Sequence, residues 1–281
     1  MATTTSALQP PAPSLTGGSS LGSTTPPTPE QIAKCQAAKL RVVRRALEPI
    51  TGTGPVATVT GHHVTSGWEA SIRPNQGLQP LQLARHYFLY PGQAGDPDAH
   101  PKLAAYAGAE MAYAEDLVCL YGPGALPHLE RLQIAFDKYE LEQQSSLFEK
   151  VEKERGHVEE GRILLSIVEG ITTLLGRGYQ GEYYAIVSPA LFEEAHRNRA
   201  TLMDAPIYQI QPLLKCFLCS EAVEGRTGVI FSLARGTISL KVPADLWLDS
   251  SLPPDNGRTR FRLAQQFCLV IDDPGARTAL K

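Results

Sequence analysis

Apolar positions recur at helical spacing in three stretches of this chain, and they alternate at strand spacing through much of its C-terminal third. The first helical stretch opens at Thr28-Pro29-Glu30, with Thr28 as N-cap and Pro29 at the first helical position. Ile32, Cys35, Leu40, Val43, Leu47 and Ile50 then follow at steps of three to five, which predicts one amphipathic helix. Its other face carries Lys34, Lys39, Arg41, Arg44 and Arg45. That face reads as solvated or as pairing with a neighbouring subunit, with an acidic partner or nucleic acid as the sharper alternative.

Residues 51–73 read as extended chain broken by glycines, and 78–90 as a strand ending in a turn at Pro91-Gly92. The clearest helix of the first half has Leu103, Ala107, Met111, Ala114, Val118 and Tyr121 on one stripe and closes at Gly122. Residues 125–160 are charge-rich and read as helical, in one bent helix or two. A further helix over 162–175 places Ile163, Ile167, Ile171 and Leu174 on one face, with Leu164, Val168 and Leu175 beside them; Gly176 and Gly178 stop it.

A strand is predicted from Tyr183 to Val187, followed by a Ser188-Pro189 cap and a short helix to His196, whose Glu193 and Glu194 suit a helix start. After a loop near 198–208, strands are predicted at 215–222, 228–234, 237–242 and 259–271. In the last, Phe261, Leu263, Phe267, Leu269 and Ile271 share a face, and this strand is expected to pair with early parts of the chain. The order is that of an α+β protein. Residues 1–28 hold Pro, Ser, Thr and Gly with little to bury, and are expected to be disordered.

Composition narrows the function more than it suggests one. Of 281 residues, 43% are hydrophobic and 20% charged, with a formal net charge of -3, so nothing global calls for nucleic acid or a membrane surface. No apolar run approaches the roughly 20 residues needed to span a bilayer, and MATTTSALQPPAPS lacks the basic start and apolar core of a secretory signal. A cytoplasmic protein is expected. Five cysteines, at 35, 119, 216, 219 and 268, sit in apolar stretches and read as small buried hydrophobes rather than a disulfide framework.

Candidate chemistry is sparse. Cys216 and Cys219 form a CxxC, but no second pair completes a zinc site, and the strand predicted there would turn the two thiols to opposite faces. His62 and His63 are adjacent in extended chain and would also diverge. Glu110, Glu115 and Asp116 decorate a helix without converging on one pocket, which favours ion pairing within or between subunits over acid–base work. There is no GxGxxG, P-loop, GxSxG or HExxH. No enzyme activity, cofactor or metal is expected; a small redox enzyme using Cys216 and Cys219 remains an alternative.

Several segments resemble the encapsulin shell family in the same order. Residues 104–122, AAYAGAEMAYAEDLVCLYG, are similar to its long spine helix, with the triplet Ala114-Glu115-Asp116 before a glycine. Residues 67–70, GWEA, resemble the Gly-Trp-Glu after the family's N-terminal helix, and Gln79-Pro80-Leu81 the start of its next strand. Residues 181–191, GEYYAIVSPAL, look like its strand-Pro-helix element, and the strand 267–271 before Asp-Asp-Pro fits its tail. The excursion between Trp68 and Gln79 is shorter than in the family, and the charged 125–160 segment and the N-terminal tail are departures from it.

The resemblance implies a tailed-phage major-capsid-like fold. It divides the chain into a tail (1–28), an N-terminal helix and arm (29–60), a shortened extended loop with flanking strands (61–90), a peripheral domain with the spine helix (91–161), an axial domain (162–256) and a returning strand with C-terminal tail (257–281). It also implies a closed shell of this chain, 60 copies or a multiple, around a cargo protein. Cargo docking falls on Leu40, Val43, Leu47, Phe267 and Leu269, and a fivefold pore on Arg197, Arg199, Met203, Asp204 and Tyr208. A phage or prophage major capsid protein is the alternative within the same architecture.

Overall fold

A computed structural model describes residues 26–51, 57–64, 67–74, 80–93, 95–148, 157–197, 205–250 and 257–281. Thr28 caps the first helix, α1 (Pro29–Leu40), through a capping box: its hydroxyl accepts from Gln31 N, and the Gln31 side chain accepts from Thr28 N. The expected single helix stops at Leu40. Arg41 is extended, and a one-turn helix α2 (Val43–Ala46) follows. The buried positions of α1 are Ala33 and Ala37 rather than the larger apolar residues, because α1 lies very close against the spine helix α3 (Ala99–Tyr121). Cys35, Leu40 and Ile50 are exposed.

Two four-stranded sheets carry the rest. The first has the order β1 (Ile50–Thr51), β8 (Ile238–Asp249), β9 (Thr259–Ile271), β4 (Leu81–Leu89). In β9 the face bearing Phe261, Leu263, Gln265, Phe267 and Leu269 is buried, as period two requires. Its antiparallel pairing with β4 joins Leu81 to Phe267 and Leu89 to Thr259, so the late strand does return to the early chain. The second sheet has the order β10 (Arg277–Ala279), β7 (Gly228–Ser232), β5 (Tyr183–Val187), β6 (Cys216–Cys219). The expected domain limits are crossed twice: β8, placed with the axial region, lies in the sheet of the returning strand, and β10 carries the C-terminal tail into the axial sheet.

A hairpin of β2 (Ala57–Val64) and β3 (Gly67–Pro74) joins neither sheet; its first strand begins inside the segment assigned to the arm. The described parts of the 125–160 stretch, 125–148 and 157–160, hold two short helices, α4 (Leu126–Arg131) and α5 (Lys138–Glu142), with irregular chain around them. Axial helices α6 (Ile163–Gly176), α7 (Pro189–His196) and α8 (Ile207–Ile210) complete the fold, with Ser188 capping α7 as expected. No helix among the described residues is long and apolar enough to cross a membrane. The predicted disorder of 1–28 concerns mainly residues outside those described.

Candidate functional site

The most organised polar cluster in the subunit lies where α1 ends. Arg41 is buried and reaches three elements at once. Its Nε stands 3.1 Å from Glu115 Oε2, Nη1 donates to Asp245 Oδ1 at 3.1 Å, and Nη2 donates to Gln265 Oε1 at 2.5 Å. Arg44 approaches the same acids: Nε and Nη2 donate to the two oxygens of Glu115 at 2.5 and 2.9 Å, and Nη1 to Asp245 at 2.9 Å. Gln265 in turn donates to Met111 O at 3.3 Å. Two fork-shaped guanidiniums thus share one fully buried carboxylate, a bidentate arrangement lysine could not reproduce.

Asp116, the next residue on the spine, turns to the backbone. Its two oxygens accept from Val42 N and Val43 N, each at 2.9 Å, and so supply the cap that α2 lacks from its own sequence. Burial pushes the Asp116 carboxyl up to about 7, against the downward pull of those two donors. Burial also acts on Asp245, but Arg41 and Arg44 hold it below the ordinary aspartate range. Arg44 is desolvated, yet Glu115 and Asp245 raise it above its usual value. The basic face of the N-terminal segment is therefore split: Arg41 and Arg44 are turned inward, Arg45 and Lys39 stay exposed, and Lys34 pairs with Glu30. The expected ion pairing is met within one subunit for Glu115 and for Glu110, which takes Arg85 at 2.7 Å, whereas Asp116 binds backbone instead.

The residues expected to dock cargo differ in depth. Val43, Leu47, Phe267 and Leu269 are packed in the core of the subunit, where β9 and α2 close over the spine, and only Leu40 (44% exposed) is open. Helical spacing alone could not tell an outward stripe from an inward one, because α1 buries alanines. Asp245 and Gln265 were missed. Gln265 left a signal, a polar residue in the middle of an otherwise apolar strand face; Asp245 left none.

At the axial end, Glu194 accepts from Gly161 N and Ile163 N at 3.0 and 3.3 Å, and pairs with Arg226, fixing the start of α6. Arg197 is exposed and pairs with Glu193, and Tyr208 is half exposed; Arg199, Met203 and Asp204 lie outside the described residues. The free face of α6 shows Leu165, Val168 and Leu175 to solvent. Cys216 and Cys219 sit on edge strand β6 as free thiols, and burial pushes Cys219 upward, away from the thiolate that redox work needs. His62 and His63 stand opposite Glu69 and Trp68 in the hairpin register. Among the described residues, no three His, Cys, Asp or Glu side chains gather at metal-binding distance.

A spine helix packed on a sheet with a returning strand, an axial sheet flanked by helices, and a separate hairpin together make the tailed-phage major capsid fold. Solved structures agree. The subunit of a virus-like particle from Pyrococcus furiosus superposes with a TM-score of 0.60, covering 90% of this chain and 97% of that one at 12% identity. An empty GTA particle capsid gives 0.57 over 86% and 96% at 12% identity, and Mycobacterium phage Adephagia 0.57 over 86% and 90% at 11%. A search of curated proteins found no match. Residues 142–267 match the Linocin_M18 family, described as encapsulating protein for peroxidase. That match spans somewhat under half of this chain.

Proposed function

We propose that copies of this chain close into a hollow shell around an enzyme of peroxidase type and control access to it through openings between subunits. The observation that carries this reading is the capsid-type fold, matched over nearly the whole subunit of a virus-like particle, together with the family match over 142–267. Two features of the isolated subunit support it. The hairpin β2–β3 pairs with neither sheet, and α6 leaves Leu165, Val168 and Leu175 uncovered. Such surfaces have little to bury alone and gain partners when sister subunits adjoin. Sixty copies, or a multiple, is the number closed icosahedral symmetry asks for.

Cargo is proposed to dock on the outward side of α1 around Leu40, with Val43, Leu47, Phe267 and Leu269 backing that helix from within. The pore is assigned to the segment from Arg197 to Tyr208, including Arg199, Met203 and Asp204, where five copies of one charge would act together.

Electron microscopy of the purified protein, with mass spectrometry of whatever co-purifies, tests the proposal. Closed hollow particles containing a peroxidase are the expected result. Monomers or dimers alone would overturn it, and particles filled with nuclease-protected nucleic acid would move the chain to the phage-capsid reading.

A further inference from the structure

On the side of the β4–β9 pair away from the spine lies a cleft of about 530 Å³, lined by Gln82, Ala84, His86, Phe136, Arg260 and Arg262 among others. Alternation puts these side chains there: Gln82, Ala84 and His86 are the residues of β4 between the buried Leu81, Leu83 and Tyr87, and His86 stands opposite Arg262 in register. Arg260 and Arg262 are half-buried. Among the described residues neither has a carboxylate within ion-pair distance, and the Arg262 side chain, on a strand paired on both sides, makes no hydrogen bond. Arg260 instead donates from Nε to His86 Nδ1 at 3.3 Å. A guanidinium lodged beside a neutral ring rather than an acid is an unusual resting state for a half-buried charge.

The cleft's own acids are turned to other tasks. Asp137 accepts from Tyr139 N and Glu140 N at the start of α5, and Glu140 accepts from Gln82 N at 3.3 Å. Arg85, the remaining cation of this strand segment, points the other way to Glu110. On β8, Asp249 stands opposite Arg262 in register and has interactions of its own. Two guanidiniums and an imidazole thus converge on a concave surface with a small apolar wall at Phe136, a set of donors suited to an oxyanion.

We propose that this cleft binds a compact tetrahedral oxyanion of the phosphate class, held by Arg260 and Arg262, and that binding draws Arg260 off His86 so that the imidazole takes up a proton at Nδ1. Nothing covalent changes. The anion supplies the counter-charge that the site lacks, the freed Nδ1 becomes a donor, and the proton comes from solvent. The carboxylates of Asp137 and Glu140 at the rim set the size: they repel an extended polyanion and tolerate a single compact one. Burial together with the positive charge of Arg260, Arg262 and Arg85 already holds His86 below its ordinary value, which agrees with a neutral ring before binding.

Isothermal titration of the full-length protein with inorganic phosphate, in its assembled form if it assembles, tests this. At pH 7, in two buffers of different ionisation enthalpy, saturable binding with proton uptake is expected. Arg262→Gln removes a side chain that makes no hydrogen bond, so folding should be unchanged by circular dichroism, and phosphate should bind at least tenfold more weakly. His86→Gln should keep binding and lose the proton uptake. No saturable binding by the wild type up to tens of millimolar phosphate, or equal affinity in Arg262→Gln, would overturn the proposal. Binding without proton uptake in the wild type would overturn its second half. None of these readouts depends on cargo or on shell closure.

Discussion

Ala33 and Gly108 meet backbone to backbone: a β-carbon at 108 would stand 2.5 Å from Ala33 O and 2.9 Å from its Cα. The spine helix therefore receives α1 at a distance only glycine allows. Gly108→Ala should cost about 1–3 kcal/mol through overpacking and raise protease sensitivity within residues 29–47. Gly92→Ala, where a β-carbon meets nothing within 4 Å, should be close to neutral. Thermal unfolding of the two variants side by side checks the pair.

Glu115 is the shared acid of two guanidiniums and is fully buried. Glu115→Ala should lose about 3–5 kcal/mol, because it strands buried positive charge rather than merely deleting a contact. Denaturant titration measures this. A loss below about 1 kcal/mol would show that water reaches Arg41 and Arg44.

The Asp116 carboxyl sits at about 7 in the fold and near 4 in an unfolded chain. Its proton is then held more tightly by the native state. Its contribution to stability is complete below about pH 4 and is lost as the pH rises through 7. Asp116→Asn should flatten the fall in stability between pH 5 and 7 relative to the wild type. Parallel slopes in the two proteins across that window would contradict the assignment.

Leu165 and Val168 lie on the open side of α6, so their replacement disturbs no core. Leu165→Glu with Val168→Glu should leave the subunit folded by circular dichroism while abolishing large particles in size-exclusion chromatography. Unchanged particles would place the subunit contacts elsewhere.

Local signals in the sequence carried far. The caps at Thr28 and Ser188 and the period-two run of β9 all mark real boundaries, because each depends on residues within a few positions. What was not legible depends on distant partners. Nothing near Arg41 indicates that it stops α1; it does so because Glu115, Asp245 and Gln265 draw it inward. Residues 125–160 have helical composition, yet Ile134, Leu147 and Phe148 are buried one by one outside the two short helices. Ala135 is drawn into a bridge with Ala84, and Gln133 takes a positive φ of 55° just before it. The depth of residues 43, 47, 267 and 269 was hidden for the same reason: apolarity marks interior and surface stripe alike, and only three-dimensional context separates the two.

The placement of β9 between β4 and β8, with Gln265 gripping Arg41, has a temporal side. During synthesis α1 and the spine leave the ribosome well before the strand that seals them, with the whole axial region made in between. A truncated chain ending before residue 259 keeps its N-terminal lock open and the edges of β4 and β8 bare. Synthesis of β9 thereby becomes a checkpoint: a chain that lacks it has an unsealed spine and two unpaired strand edges, and is set apart by geometry from the finished subunit.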